Sequence, residues 1–136
     1  MLMMPRKMKY RKEQRGKMRG LALRGSEIVF GKFAIKALSA GWVSARELEA
    51  ARRAMTRYIK RGGEVWIRVF PNKPVTATSP ETPMGSGKGA VDHFAAVVRP
   101  GLILFELDGV DPVIAKEAMR LAQHKLSVKT KFICKE

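Results

Sequence analysis

The sequence is poor in cysteine and histidine, the residues that most often build disulfides and metal centres. Cys134 is the single cysteine in 136 residues, which excludes an internal disulfide and any zinc site built from several cysteines. The two histidines, His93 and His124, share no recognised ligand spacing with that cysteine or with an acid. The sequence therefore predicts neither a metal centre nor a cofactor.

Long apolar runs are also missing. No stretch approaches the roughly 18 residues that a membrane span requires, and the run at 1–4 is too short for the core of a signal peptide. We therefore expect a cytoplasmic or organellar protein without a membrane partner. The length of 136 residues and a hydrophobic content of 46% favour a single domain with a real core.

Acidic residues are scarce relative to cations. The chain has 27 Lys and Arg residues against 12 Asp and Glu, which gives a formal net charge of +15. Charge of this size destabilises a compact chain by self-repulsion, so it indicates a polyanionic partner. Nucleic acid is the commonest such partner, and an anionic surface is the alternative.

Residues 1–25 concentrate this charge. Nine cations stand there against Glu13 alone, and three glycines interrupt any helix. A segment with so few large apolar side chains cannot offset its own ordering entropy. We expect a flexible arm that interacts with a polyanion, with a merely solvated tail as the alternative. The candidate binding residues of the arm are Arg6, Lys7, Lys9, Arg11, Lys12, Arg15, Lys17 and Arg19.

Residues 44–70 predict a basic helix followed by a strand. Ser44 and Glu47 have the spacing of a capping box, and apolar residues then recur at helical steps. The predicted buried stripe is Leu48, Ala51, Met55, Tyr58 and Ile59. Gly62-Gly63 is expected to end the helix, and 64–70 forms the strand, with Trp66 and Tyr58 assigned to the core rather than to base stacking.

Cations of the same helix fall opposite its apolar stripe. The candidate phosphate-binding residues here are Arg46, Arg53, Arg57, Lys60 and Arg61. Arginine suits this role because its planar guanidinium can grip phosphate with two hydrogen bonds. The alternative is an ordinary solvated face.

The remaining elements predict an α+β domain over residues 26–136, with two helices packed on a mostly antiparallel sheet or barrel. Core candidates after the first strand are Phe33, Ile35 and Leu38, and those of the second helix are Ile114, Ala118, Leu121 and Ala122. The predicted elements are a strand at 27–30, an irregular projecting loop at 71–90, a hairpin of 94–98 with 102–107, a helix from 111 to about 125 and an edge strand at 129–134.

The tip of the projecting loop superficially resembles a nucleotide-binding P-loop. Thr82 stands where that motif needs its first glycine, and Gly89 replaces the hydroxyl residue that would hold magnesium. We therefore predict no nucleotide hydrolysis and no enzyme, while Lys88 and the backbone N–H groups remain suited to a nucleic-acid phosphate. The tip consists of Met84, Gly85, Ser86, Gly87, Lys88 and Gly89.

Several motifs occur in family-like order over nearly the whole chain. They are Lys9–Lys12 with Arg15-Gly16, Ala50–Arg57, Trp66–Pro71 with Lys73-Pro74, Met84-Gly85 with Gly87–Gly89, and His124–Leu126 with Lys129–Lys131. Together they closely resemble the bacterial and organellar large-subunit ribosomal protein sixteen. Pro83 and Ser86 depart from the usual Arg and Lys of that family, and Ser127 replaces a common Pro.

This resemblance implies a structural component of the large ribosomal subunit. It implies binding to the ribosomal RNA (rRNA), neighbouring large-subunit proteins as partners, and a location where transfer RNA (tRNA) reaches the peptidyl transferase centre. In the family, the basic arm and the glycine-rich loop extend toward the tRNA and the catalytic RNA. A free-standing basic binder of nucleic acid or anionic surfaces is the alternative.

Overall fold

Two helices and two antiparallel β-sheets make up the folded part of the chain. The computed structural model describes residues 2–60 and 62–135. Its elements are β1 (Phe33–Ala37), β2 (Gly41–Ser44), α1 (Ala45–Ile59), β3 (Glu64–Ile67), β4 (Lys73–Ala77), β5 (Ala90–Val98), β6 (Ile103–Asp108), α2 (Pro112–Gln123) and β7 (Thr130–Cys134). The larger sheet has the order β3-β6-β1-β7 and the smaller one β2-β5-β4. The α+β prediction is confirmed, and over the described residues the sheets do not close into a barrel.

Helix α1 begins and packs largely as its sequence predicts. The Ser44 hydroxyl accepts a hydrogen bond from the Glu47 N–H at 3.2 Å, and three predicted core residues of the stripe are fully buried. Those residues are Leu48, Ala51 and Met55. Tyr58 is 40% exposed, so its assignment to the core is wrong. Lys60, rather than a glycine, takes the left-handed conformation that ends the helix (φ 50°).

Helix α2 buries a stripe shifted from the predicted one. Ala118 and Ala122 are fully buried as expected, but Ala115 and Met119 complete the stripe. Ile114 is instead an exposed residue. The two helices pack against each other and share one core with both sheets.

The predicted hairpin at 94–107 is wrong. Its turn is present, since the Leu102 N–H donates to the Arg99 carbonyl at 3.2 Å. However, β5 pairs with β2 and β4, while β6 pairs with β1 and β3. After the turn, the chain is hydrogen-bonded to Ala37. The Ala37 carbonyl accepts from the Gly101 N–H at 2.7 Å, and the Ala37 N–H donates to the Leu102 carbonyl at 2.8 Å. The turn is therefore a corner between two sheets.

Further boundaries differ from the sequence prediction: β3 ends at Ile67 instead of residue 70, and β5 begins at Ala90 instead of residue 94. Residues 27–30 form no strand, because successive N–H groups from Val29 onward bind the Glu106 side chain instead of a neighbouring strand. The predicted loop at 71–90 contains β4, which pairs with β5 and leaves 78–89 irregular. Leu38 is 53% exposed and does not join the core, whereas Phe33 and Ile35 do. The predicted edge strand is confirmed as β7.

Candidate nucleic-acid interface

The cations of α1 lie on its outer face, as the helical periodicity predicts. Arg46, Arg53, Arg57 and Lys60 are all exposed, while the apolar stripe on the other side is buried. Arg61, the fifth predicted residue of this row, lies outside the described residues. The face therefore presents several long cationic side chains to solvent.

One acid partly neutralises this row. The Glu49 carboxylate pairs with Arg52 at 2.6 Å and with Arg53 at 3.0 Å. The hydrogen bond from Arg52 is the main reason that the pKa of Glu49 falls to about 2. Across residues 2–60 and 62–135, no ion pair involves Arg46, Arg57 or Lys60. These three charges remain available to an anionic partner.

The N-terminal arm lies against the folded body through a few specific bonds. Met3 packs at the margin of the core, and the Ala22 N–H donates to the Pro100 carbonyl at 2.9 Å. Residues 2–32 nevertheless contain neither helix nor strand. The predicted binding residues of the arm from Arg6 to Arg19 are all exposed.

Lysines join the arm to the base and tip of the projecting loop. Lys73 Nζ donates to the carbonyls of Gln14 and Arg15 at 2.8 and 3.1 Å. Lys88 Nζ donates to the Glu13 carbonyl, and Lys12 Nζ donates back to the Lys88 carbonyl at 3.0 Å. We call this set, Lys12 to Arg15 with Lys73 and Lys88, the arm–loop clasp. It brings two regions together that lie about 60 to 75 residues apart in sequence.

The ring of Trp42 lies next to two cations of the clasp. The guanidinium of Arg15 lies 6.0 Å from the centre of the Trp42 ring, and Lys73 Nζ lies 5.2 Å from it. Cations at this distance are attracted to the negative face of an aromatic ring. Trp42 thus holds two clasp cations beside each other despite their mutual repulsion.

The predicted loop tip projects into solvent. Met84 is fully exposed, Gly85 to Lys88 are exposed, and Gly89 is half-buried because it lies close to the Ala77 carbonyl. Lys88 is the only cation of the tip, and its ammonium group is held by the arm. The tip and the arm therefore form one continuous basic projection.

Sequence reasoning missed three residues that position this interface. Neither Trp42 nor Lys73 is among the predicted site residues. The sequence predicts Glu106 only as part of a strand, yet it is a fully buried acid bound to Arg68. A lone acid in an otherwise apolar run, Leu102–Leu107, was the one available signal.

The described part of the chain has no feature of a membrane span or of a metal centre. Neither helix in the described part of the chain is long and apolar enough to cross a membrane. No group of three or more His, Cys, Asp or Glu side chains there could hold a metal ion. His93 forms a close pair with its neighbour Asp92 at 2.7 Å, at an exposed position on β5.

Comparison with known protein families gives one match that spans almost the whole chain. Residues 5–133 match the sequence profile described as ribosomal protein L16p/L10e. The matched part includes the arm, α1, the loop and both sheets, and it confirms the resemblance seen in the sequence motifs. Members of this family are structural proteins of the large subunit of cytoplasmic or organellar ribosomes, with rRNA and ribosomal proteins as partners. The chain belongs to the ribosomal protein L16p/L10e family.

Proposed function

We propose that the arm and the outer face of α1 bind large-subunit rRNA, and that the loop tip lies beside tRNA near the peptidyl transferase centre. The observation that carries the proposal is the arm–loop clasp, which joins the most basic segment of the chain to its most exposed loop. The protein acts as a scaffold here, without catalysis of its own.

Charge is the physical basis of the rRNA contact. The arm and α1 present Arg and Lys side chains in excess of nearby acids, and each phosphate they neutralise releases condensed counterions. Arg46 and Arg57 have no competing carboxylate among the described residues, so binding RNA breaks no ion pair at either position.

Salt dependence tests the rRNA contact. If about six to ten phosphates are neutralised, a plot of log affinity against log salt should have a slope of roughly −4 to −9. The full chain is titrated with protein-free large-subunit rRNA at several salt concentrations, with anionic liposomes as the control surface. A slope near −1 or flatter contradicts the proposal. The protein should also stay on large subunits through a high-salt wash, whereas a free-standing basic binder would be removed.

Two lysine variants test the tRNA-facing role of the loop. Lys88→Ala removes the single charge of the tip and its bond to the arm, while Lys12→Ala removes the bond from arm to loop together with one cation of the arm and leaves the charge of the tip in place. We expect both variants to enter large subunits, and only Lys88→Ala to slow tRNA accommodation or peptide-bond formation. Equal slowing by both variants would assign the effect to placement of the arm, not to a loop cation beside tRNA.

A further inference from the structure

Tyr58 lies at the surface where α1 and α2 meet, although its spacing predicts a core position. The residue is 40% exposed, whereas Leu48, Ala51 and Met55 of the same stripe are fully buried. The side chain lines three neighbouring surface depressions. An exposed aromatic ring at a cationic surface is suited to a partner that can stack on the flat face of the ring.

The most cationic of these depressions is a groove between the two helices. We call it the α1–α2 groove; its volume is about 420 Å³. It is lined by Ala54, Arg57, Tyr58, Lys60, Leu121, His124 and Lys125. Three of these side chains are cations and none is an acid, while the alanine and leucine supply an apolar floor. A volume of this size falls within the range of about 300 to 1,000 Å³ that is typical of sites for small ligands.

The acids of the region lie in the other two depressions. Glu117 lines one of them and is paired with Arg120 at 2.6 Å, while Asp108 and Asp111 line the other. An anionic partner that approaches Tyr58 through the α1–α2 groove would therefore meet cations and no acid. His124 is held at its rim, with Nε2 at 3.1 Å from Arg120 Nη1.

These features fit an unpaired nucleotide better than a duplex or an acidic peptide. Unpaired RNA bases are commonly stacked on aromatic side chains, while cations contact the adjoining phosphates. An acidic peptide would use the cations but not the exposed ring face. A duplex would offer its phosphates, but its stacked bases could not reach Tyr58.

We propose that the α1–α2 groove holds an unpaired nucleotide of single-stranded RNA, with its base stacked on Tyr58. Arg57, Lys60 and Lys125 contact the flanking phosphates, and His124 closes the rim. This inference rests on the proposed rRNA binding and adds to it a site that reads the single-stranded state of the RNA.

The proposed site is tested by measuring the contribution of ring stacking and the contribution of charge separately. The full chain and its variants are titrated with protein-free large-subunit rRNA, and the salt slope is measured for each. Tyr58→Leu keeps an apolar side chain but removes the ring, so affinity should fall about fivefold to a hundredfold with an unchanged slope. Tyr58→Phe should bind like the unmodified chain. Arg57→Ala should lower the magnitude of the slope by about 1.

Phe70→Leu is the matched control, because it also removes an exposed ring but lies outside the groove. Thermal melting of each variant checks folding. As a second measurement on the unmodified chain, rRNA containing 4-thiouridine is crosslinked by light, and the attached peptide is mapped. A crosslink at Tyr58 or His124 supports the proposal even if Tyr58→Leu fails to fold.

The outcomes separate the groove from the wider function. If the unmodified chain binds rRNA and Tyr58→Leu binds equally well, the nucleotide site is wrong while rRNA binding stands. That result would also be expected if a protein segment occupied the groove. Crosslinks confined to double-stranded regions of the rRNA would likewise overturn it. If the unmodified chain does not bind rRNA at all, the proposed function fails.

Discussion

Arg68 and Glu106 form an ion pair beneath the segment that leads into β1. Arg68 Nη1 donates to one carboxylate oxygen of Glu106, whose side chain is fully buried. The other oxygen accepts from the backbone N–H groups of Val29, Phe30 and Gly31 at 3.1, 2.9 and 2.9 Å. One carboxylate therefore satisfies a backbone segment that has no strand partner, and it joins this segment, which follows the arm, to the larger sheet.

Replacing Glu106 by Gln should destabilise the fold by about 2 to 4 kcal/mol, because the Arg68 charge loses its partner in a mostly buried position. The glutamine amide also places a donor group where only an acceptor can bind. Urea denaturation measures the change in the free energy of unfolding. Glu117→Gln, which removes an exposed acid paired with Arg120, is the control and should change stability little. Equal effects of the two substitutions would contradict this role for Glu106.

The same carboxylate should make stability depend on pH in the acid range. Burial alone would raise the pKa of Glu106, but hydrogen bonds from the Gly31 N–H and Arg68 outweigh it and hold the pKa below its ordinary value of 4.5. A lowered pKa stabilises the fold above the unfolded value, and this contribution is lost as pH falls through the folded value. The unfolding free energy of the unmodified chain should therefore drop as the pH falls below the ordinary glutamate value of 4.5.

Glu106→Gln should show a shallower drop over that range. A residual slope is expected, because Glu49 also has a lowered pKa, about 2, and contributes in the same direction. Denaturation at several pH values gives both curves. Parallel curves for the two proteins would show that Glu106 does not titrate differently in the folded and unfolded chains.

Breaking the arm–loop clasp should free the arm. Lys73→Ala with Lys88→Ala removes three bonds to arm carbonyls, each expected to contribute about 1 kcal/mol or less at this exposed position. Limited trypsin digestion, read by mass spectrometry, should cut within residues 6–19 about fivefold faster or more in this variant. The control is Lys32→Ala with Lys129→Ala, which removes two cations outside the clasp. Unchanged digestion would mean that the clasp does not hold the arm.

Reversing charge on α1 should impair incorporation into the large subunit. Arg53→Glu with Arg57→Glu places carboxylates one turn apart on the outer face, where phosphates are expected. Folding should change by no more than about 1 kcal/mol, because both residues are exposed and the described contact that is lost is the surface pair of Arg53 with Glu49. Occupancy of the protein is measured in purified large subunits, together with the melting temperature of the free chain.

Lys131→Glu with Lys135→Glu is the matched control for this reversal, since it makes the same change of net charge at the edge strand β7 and just beyond it. It should reduce occupancy less. Full occupancy of the α1 variant would instead show that this helix face is only solvated.

Local pattern determined much of the fold. The capping spacing at Ser44 and the three- and four-residue steps after it specify α1, because a helix repeats its faces over a short stretch of chain. The exposed row of cations follows from the same geometry. The sequence motifs also identified the family, since their order along the chain is itself specific.

Pairing between distant segments was decided only in the tertiary structure. The turn at Arg99–Leu102 looks like a hairpin, but bonds to Ala37 direct the two strands into different sheets. Sequence near the turn contains no information about a partner more than 60 residues away. The strand predicted at 27–30 failed for the same reason, because the acceptor of its N–H groups is a distant side chain.

The candidate nucleic-acid interface also depends partly on local sequence and partly on tertiary packing. The number of cations in the arm, α1 and the loop follows directly from the amino-acid sequence, because composition sets charge. Only the folded chain decided which of them meet: Lys88 with the Glu13 carbonyl, Lys73 with Arg15, and both Arg15 and Lys73 with Trp42. It also decided that Tyr58 lies open to solvent, because exposure depends on where α2 packs across α1, and helical periodicity alone does not specify that contact.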